Sequence, residues 1–228
     1  MKNNDNKSDE ELIDELINSG NAFLITKQAK KLVSAPKDRS ADAVIKIGDP
    51  AWIVAFACEV KGAPIDKLAD AVMNIGDPEG ITCFAKYVKN APIEKLTDAV
   101  IATGDSVWIY TFAKQIKGSD KDKLADAVIA TKDDECIASF AYYVKGAPLE
   151  KLVDAVVKFG NPKWIFALAC FVKNVPVEKL ADAVIKTQDA YYIRLFAEKV
   201  GGAPKAKLMK RYKELALQEI EDEEIENE

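Results

Sequence analysis

A block of 28 residues recurs along this chain without insertion or deletion, and it constrains the fold more than any other feature. Residues 61–88 (KGAPIDKLADAVMNIGDPEGITCFAKYV) and 89–116 (KNAPIEKLTDAVIATGDSVWIYTFAKQI) match at 15 of 28 positions without a gap. A fixed period of this length is typical of a chain built from stacked copies of one small unit. The same frame gives the units 5–32, 33–60, 61–88, 89–116, 117–144, 145–172 and 173–200, and a capping unit at 201–218.

The unit 89–116 indicates how one copy folds. Pro92 suits the first turn of a helix, where no backbone donor is needed. Gly104 suits the left-handed residue that ends a helix, and Asp105 suits the N-cap of the next one. The residues that recur at helical spacing are Leu96, Ala99, Val100 and Thr103 before this turn, and Ile109, Phe112, Ala113 and Ile116 after it. Each unit is therefore predicted to be a hairpin of two helices, each of roughly 11 residues.

Helices this short are only marginally stable alone, and one hairpin cannot bury its own apolar residues. Stacking against neighbouring hairpins buries them and creates a continuous core. We therefore predict an all-α fold, a right-handed superhelical α-solenoid of eight 28-residue helical hairpins. The solenoid is predicted to form a single domain over residues 1–218, followed by an acidic tail at 219–228.

The recurring string APxEKLxDAVIxTGDxxWIxxFAxxV resembles the repeats of short-repeat α-solenoids of the HEAT-like and leucine-rich-variant kinds. This resemblance covers nearly the whole chain and rests on architecture. It implies a binding protein, since repeat solenoids commonly bind along an extended concave surface. The hairpin is also similar to the repeat of TAL effectors in its proline-opened first helix and Gly-containing turn. It lacks their paired variable residues in a Gly-rich loop, so no DNA-reading residues are carried over.

The chain contains no histidine, so the commonest general base and metal ligand is missing. No phosphate-binding loop and no dinucleotide-binding fingerprint occurs in the sequence. We therefore expect a protein that is not an enzyme and has no catalytic site, metal site or cofactor.

The cysteines and the N-terminus predict a cytoplasmic protein. Four cysteines lie in four different repeats without CxxC spacing, which favours reduced thiols over disulfides. The N-terminus MKNNDNKSDEE is polar and lacks the apolar core of a signal peptide. No apolar run approaches the ~18 residues that a membrane span needs, so we expect no membrane association.

The acidic tail dominates the net charge of −5, because residues 219–228 contain seven acidic residues and no basic one. Removing those seven charges leaves residues 1–218 at about +2. That value neither demands nor excludes an anionic partner. The tail itself has two interpretations: a solvated, disordered segment, or an interaction tail for a basic partner.

Aromatic residues recur near the start of the second helix. Trp52, Trp108 and Trp164 hold one repeat position in alternate units, while Gly80, Cys136 and Tyr192 hold it in the units between. One interpretation is core packing, with a large residue overlying a small one in the next unit. The other is a row of aromatic anchors along a binding groove.

Other positions on the second helices vary between units and are candidates for partner contact. One row is Val54, Thr82, Tyr110, Ala138, Phe166 and Arg194, and the row one turn further on is Cys58, Lys86, Lys114, Tyr142, Cys170 and Glu198. An ordinary solvated surface would show similar variation. The predicted partner-binding residues are Trp52, Lys86, Tyr87, Trp108, Tyr110, Lys114, Tyr142, Tyr143, Trp164, Phe166, Phe171, Tyr192 and Arg194.

An aspartate recurs inside the first helix of successive units, at Asp14, Asp42, Asp70, Asp98, Asp126, Asp154 and Asp182. Aspartate is unfavourable in the middle of a helix, so another interaction must favour it. The structural interpretation is a hydrogen bond or ion pair to a neighbouring repeat. The candidate partners are the lysines three residues before the later aspartates: Lys67, Lys95, Lys123, Lys151 and Lys179. A cation-binding stripe is the alternative, and the interleaved lysines oppose it.

The pattern as a whole predicts a non-catalytic scaffold that binds a protein or peptide along the concave face of the second helices. The alternative is a nucleic-acid-binding solenoid that uses stacking aromatic rings and lysines. The sequence leaves open the oligomeric state, and also whether so regular an array is natural or engineered.

Overall fold

The computed structural model describes residues 9–31 and 37–226, and these residues form 15 helices and no strand. The all-α prediction is therefore confirmed. Residues 5–8 and 32–36 of the first two predicted repeats, and residues 227–228 of the predicted tail, lie outside the described residues.

The chain divides into two compact units, Met1–Asp120 and Lys121–Glu228. The first unit contains α1 (Asp9–Ser19), α2 (Ala22–Lys31), α3 (Lys37–Ile47), α4 (Pro50–Glu59), α5 (Ile65–Ile75), α6 (Pro78–Tyr87), α7 (Ile93–Ala102) and α8 (Ser106–Gln115). The second contains α9 (Lys121–Ala130), α10 (Asp134–Tyr143), α11 (Leu149–Phe159), α12 (Pro162–Phe171), α13 (Val177–Lys186), α14 (Ala190–Lys199) and α15 (Lys205–Glu226).

Helices within each unit pack in a regular order. In the first unit, every helix contacts the next helix in the chain and also the one after that. The second unit follows the same order, as when α10 packs against both α11 and α12. Such layering brings alternate helices side by side, so the second helices of successive hairpins share one surface.

The helix ends follow the predicted turn chemistry. Pro92 caps α7 and Gly104 has a φ of 69°, the left-handed conformation that glycine adopts without steric cost. The Asp105 carboxylate then accepts a hydrogen bond of 3.0 Å from the backbone N–H of Trp108. This bond satisfies one of the free donors at the start of α8.

Phenylalanine and isoleucine from the second helices form the core of each unit. Phe84 and Phe112 in the first unit, and Phe140 and Phe196 in the second, are completely buried. The isoleucines three residues before them, such as Ile137, are buried as well. Because three residues complete most of a helical turn, each pair occupies one face of its helix.

The recurring aspartates form ion pairs between adjacent first helices, which agrees with the structural interpretation. In these pairs the partner is a basic residue 25 positions further along the chain, as in the pair between Asp154 and Lys179, so the predicted partner three residues before the aspartate is wrong. The Lys151 Nζ lies 2.8 Å from an Asp126 oxygen. The other pairs are Asp14–Arg39, Asp42–Lys67, Asp70–Lys95 and Asp182–Lys207.

These ion pairs predict a loss of stability at alkaline pH. Hydrogen bonding to Asp126 raises the pKa of Lys151, and hydrogen bonding to Asp182 raises the pKa of Lys207. A lysine pKa that is higher in the folded chain stabilises it fully below the unfolded value of about 10.4, and this contribution is lost above it. We expect the free energy of unfolding, measured in urea, to fall as the pH rises above about 10.4.

The matched variant is Asp126→Asn/Asp182→Asn, which removes both carboxylates. Its free energy of unfolding should fall less between pH 9 and pH 11 than that of the unaltered chain. The reason is that its lysines have lost the carboxylates that link their protonation to folding. Equal pH dependence in the two proteins would show that these pairs contribute nothing to stability.

Candidate functional site

Three large aromatic side chains of the second unit lie in solvent on neighbouring helices. Tyr142 and Tyr143 at the end of α10 are 51% and 53% exposed, and Phe171 at the end of α12 is 63% exposed. Single exposed apolar residues are ordinary, but a contiguous group is typical of an interaction surface.

These three rings pack against one another. The ring centroids of Tyr142 and Tyr143 are 4.5 Å apart, and those of Tyr142 and Phe171 are 6.4 Å apart, both in edge-to-face arrangements. This is the geometry in which the ring edge of one residue meets the ring face of another. The contacts hold the three rings as a cluster that spans α10 and α12.

A pocket of about 320 Å³ opens beside this cluster. Its walls include Tyr142, Tyr143, Phe171 and the half-buried Trp164, and its floor includes the small residues Ala138, Ser139 and Ala167. We call it the aromatic pocket. Its lining is mainly apolar, which suits an aliphatic or aromatic side chain of a partner.

The core residues of α10 explain why the tyrosines point outward. Ile137, Phe140 and Val144 are all buried, so the inward face of the helix is occupied. Tyr142 and Tyr143 fall between Phe140 and Val144 in the sequence and therefore project away from the core. The same register places Phe171 outside, because Leu168 and Val172 are buried on α12.

A second depression of about 740 Å³ adjoins the aromatic pocket and shares Tyr142, Tyr143, Phe171 and Val172 with it. Lys145 and Lys173 also line this depression, and both side chains are exposed. Among the described residues that line either depression, none carries a carboxylate. The surface is therefore apolar with a basic margin.

The other predicted residues of the second unit form smaller contacts. The rings of Phe166 and Tyr192 are 6.2 Å apart, and the Lys163 Nζ lies 4.5 Å from the centre of the Trp164 ring. The Arg194 guanidinium is 5.9 Å from the Tyr212 ring and pairs with Glu198.

In the first unit the predicted residues make local pairs. Lys86 lies 5.0 Å from the Tyr87 ring centre. Lys114 donates a 3.3 Å hydrogen bond to the Tyr110 hydroxyl. Trp52 packs edge-on against Phe23 at 6.0 Å, and Trp108 is half-buried.

The tryptophan positions combine features of both interpretations. Trp52, Trp108 and Trp164 are all half-buried, so each ring is partly packed and partly in solvent. The first variable row differs from a solvated face, because its members Val54, Thr82 and Ala138 are buried.

Neither a metal centre nor a reactive thiol is indicated by the described side chains. Among them, no three His, Cys, Asp or Glu residues are placed so that they could hold a metal ion. Burial raises the pKa of the Cys83 and Cys170 thiols, which disfavours the nucleophilic thiolate. Cys58, Cys83 and Cys170 are free thiols, and Cys136 is buried.

Sequence reasoning missed two parts of this site: Ser139 and Ala167 on its floor, and Lys145 and Lys173 at its margin. One signal was available, because a small residue at the position of Ser139 and Ala167 leaves room between aromatic neighbours. The lysines belong to the connecting turns, outside the second helices that carry the predicted residues.

None of the helices in the described ranges is long and apolar enough to cross a membrane. No protein-family model matches the chain, and no curated protein sequence matches it either.

Proposed function

We propose that this chain is a non-catalytic scaffold that binds a protein or peptide through its second helices, with the aromatic pocket as the principal contact. The observation that carries the proposal is the cluster of Tyr142, Tyr143 and Phe171. Each of these rings is more than half exposed, and together they border a pocket between α10 and α12.

Removal of the exposed aromatic rings from water favours binding of a partner at this site. Burying an exposed aromatic ring in an interface gains about 25 cal/mol for each Å² of apolar surface removed from water. Because the rings already contact one another, binding a partner costs little further side-chain conformational entropy. Tyrosine and tryptophan are also the residues that most often dominate binding energy in interfaces.

The finer fold prediction is part of this proposal. We propose that the hairpins form one right-handed superhelical solenoid over residues 1–218 and that the second helices provide its concave face. Support comes from the regular packing of alternate helices in each unit. The even 28-residue spacing of the repeats adds further support.

A nucleic-acid ligand is the second candidate, and the lysine–aromatic pairs favour it. Lys86 with Tyr87, Lys114 with Tyr110 and Lys163 with Trp164 combine a cation with a ring in the way that single-stranded nucleic acid requires. The edge-to-face packing of Tyr142 against its neighbours favours a peptide instead, because bases need an open ring face. Titration of an oligonucleotide at low salt separates the two candidates.

A displayed library of random peptides, selected for binding to the full chain, tests the peptide proposal. We expect enriched peptides with aromatic or aliphatic residues. Their affinity should fall at least about tenfold in the variant Tyr142→Ala/Tyr143→Ala/Phe171→Ala, because truncating central aromatic residues removes most of the binding energy. Fluorescence anisotropy of labelled peptides measures the loss.

Tyr191→Ala is the matched control, since Tyr191 is another tyrosine of the second unit, is 58% exposed and does not line the aromatic pocket or its neighbouring depression. Its peptide affinity should match that of the unaltered chain, and circular dichroism should show equal helix content in all three proteins. Equal affinity of the triple variant, or a library without enriched peptides, would contradict the proposal.

A further inference from the structure

The end of α15 carries apolar side chains that the fold leaves in solvent. Leu208 and Leu215 are buried where α15 packs against α13 and α14. Leu217 and Ile220, further along the same helix, are 61% and 54% exposed. Residues three apart in a helix lie on the same side, about 5–6 Å apart at their Cβ atoms.

This exposed pair lies in the most acidic part of the chain. Residues 219–228 contain seven acidic residues and no basic residue. The helix α15 extends through Glu226, whereas the capping unit was predicted to end at residue 218. The end of α15 therefore combines two exposed apolar side chains with a sequence rich in acidic residues.

The aromatic pocket and its neighbouring depression have the complementary character. Their shared wall is aromatic, Lys145 and Lys173 line one margin, and none of their described lining residues is acidic. Apolar contact would supply affinity, and the opposite charges would orient the helix and speed its association.

We propose that the end of α15 of a second copy of this chain docks in the aromatic pocket and its adjoining depression, with Leu217 and Ile220 as the contacting side chains. The inference rests on the proposed function, because it names the partner of the same site. Each copy carries both the aromatic pocket and the helix end, and we propose that two copies exchange both contacts in a symmetric dimer.

The test begins with the full chain in sedimentation velocity over a range of concentrations. The unaltered chain should form a dimer, and the dimer should weaken as salt rises because the basic margin and the acidic helix are screened. The variants Leu217→Ser/Ile220→Ser and Tyr143→Ala/Phe171→Ala should each sediment as monomers, with affinity reduced at least about tenfold. Since these side chains are exposed, circular dichroism should show an unchanged helix signal.

Mixing the two variants gives the decisive result. The first keeps an intact pocket and the second keeps an intact helix end, so the mixture should form a heterodimer through one of the two contacts. A labelled peptide of residues 212–228 should likewise bind the first variant and not the second. If the pocket variant misfolds, the helix-end variant and the peptide still test the proposal.

Two outcomes would overturn this inference: a chain that stays monomeric at every concentration, or a dimer that persists in either variant. The peptide library separates this failure from failure of the proposed function. Library peptides that bind the pocket of a monomeric chain would reject the second-copy partner and retain the binding site. Absence of both interactions would reject both proposals.

Discussion

Replacing Phe140 with alanine should lower the free energy of unfolding by about 3–5 kcal/mol. The Phe140 side chain is completely buried in the second unit, on the inward face of α10 with Ile137. Truncation removes the transfer free energy of the ring and leaves a cavity that a packed helix array fills only in part. Urea denaturation followed by circular dichroism measures the loss.

Phe171→Ala is the matched control for this prediction, because it deletes the same atoms from a ring that is 63% exposed. Its effect on stability should stay within about 0.5 kcal/mol, as for most surface substitutions. Amide hydrogen exchange should place the destabilisation by Phe140→Ala in the unit Lys121–Glu228. Similar stabilities of the two variants would refute the assignment of Phe140 to the core.

Replacing Gly80 with alanine should destabilise the chain by about 1–3 kcal/mol, although alanine is normally the better helix former. A Cβ atom at this position would lie 2.6 Å from the Pro50 Cβ and 2.9 Å from an Asp77 carboxylate oxygen. The proline ring cannot swing away, and the Asp77 carboxylate already accepts a hydrogen bond from the Gly80 N–H. Relief of the clash therefore has to move backbone or break the cap of α6.

Gly201→Ala provides the control, because no atom lies within 4 Å of the Cβ that it would add. This substitution should be neutral or stabilise the chain by about 0.4–1 kcal/mol, through a smaller entropy of the unfolded state. Thermal unfolding of the two variants measures the difference. A Gly80→Ala protein as stable as the unaltered chain would show that Pro50 and Gly80 do not pack as described.

The Gly80 contact explains why one repeat carries glycine at the tryptophan position. Gly80 holds the position that Trp52 and Trp108 occupy in the repeats on either side. A large residue there would collide with Pro50 of the preceding hairpin. The pattern was visible in the sequence, but the colliding atom lies 30 positions away and is identified only by the packing.

Helix boundaries were predictable because their causes are local. A glycine at positive φ and an aspartate cap act on the two or three residues beside them, as Gly104 and Asp105 do between α7 and α8. The partners of the recurring aspartates were harder to predict from the sequence. The sequence pointed to the lysine three residues before the aspartate, which was the wrong partner, because the structure pairs the aspartate with the lysine of the next repeat.

Repeat length, helix periodicity and turn residues in the sequence alone determined that this chain is all-helical, because these signals depend on neighbours within a few positions. They also marked Tyr142, Tyr143, Trp164 and Phe171 as candidates, together with equivalent residues of other repeats. Only the tertiary structure decided which candidates meet. A pocket forms where small side chains on two packed helices leave space between large ones, and that space depends on contacts between residues more than 20 positions apart.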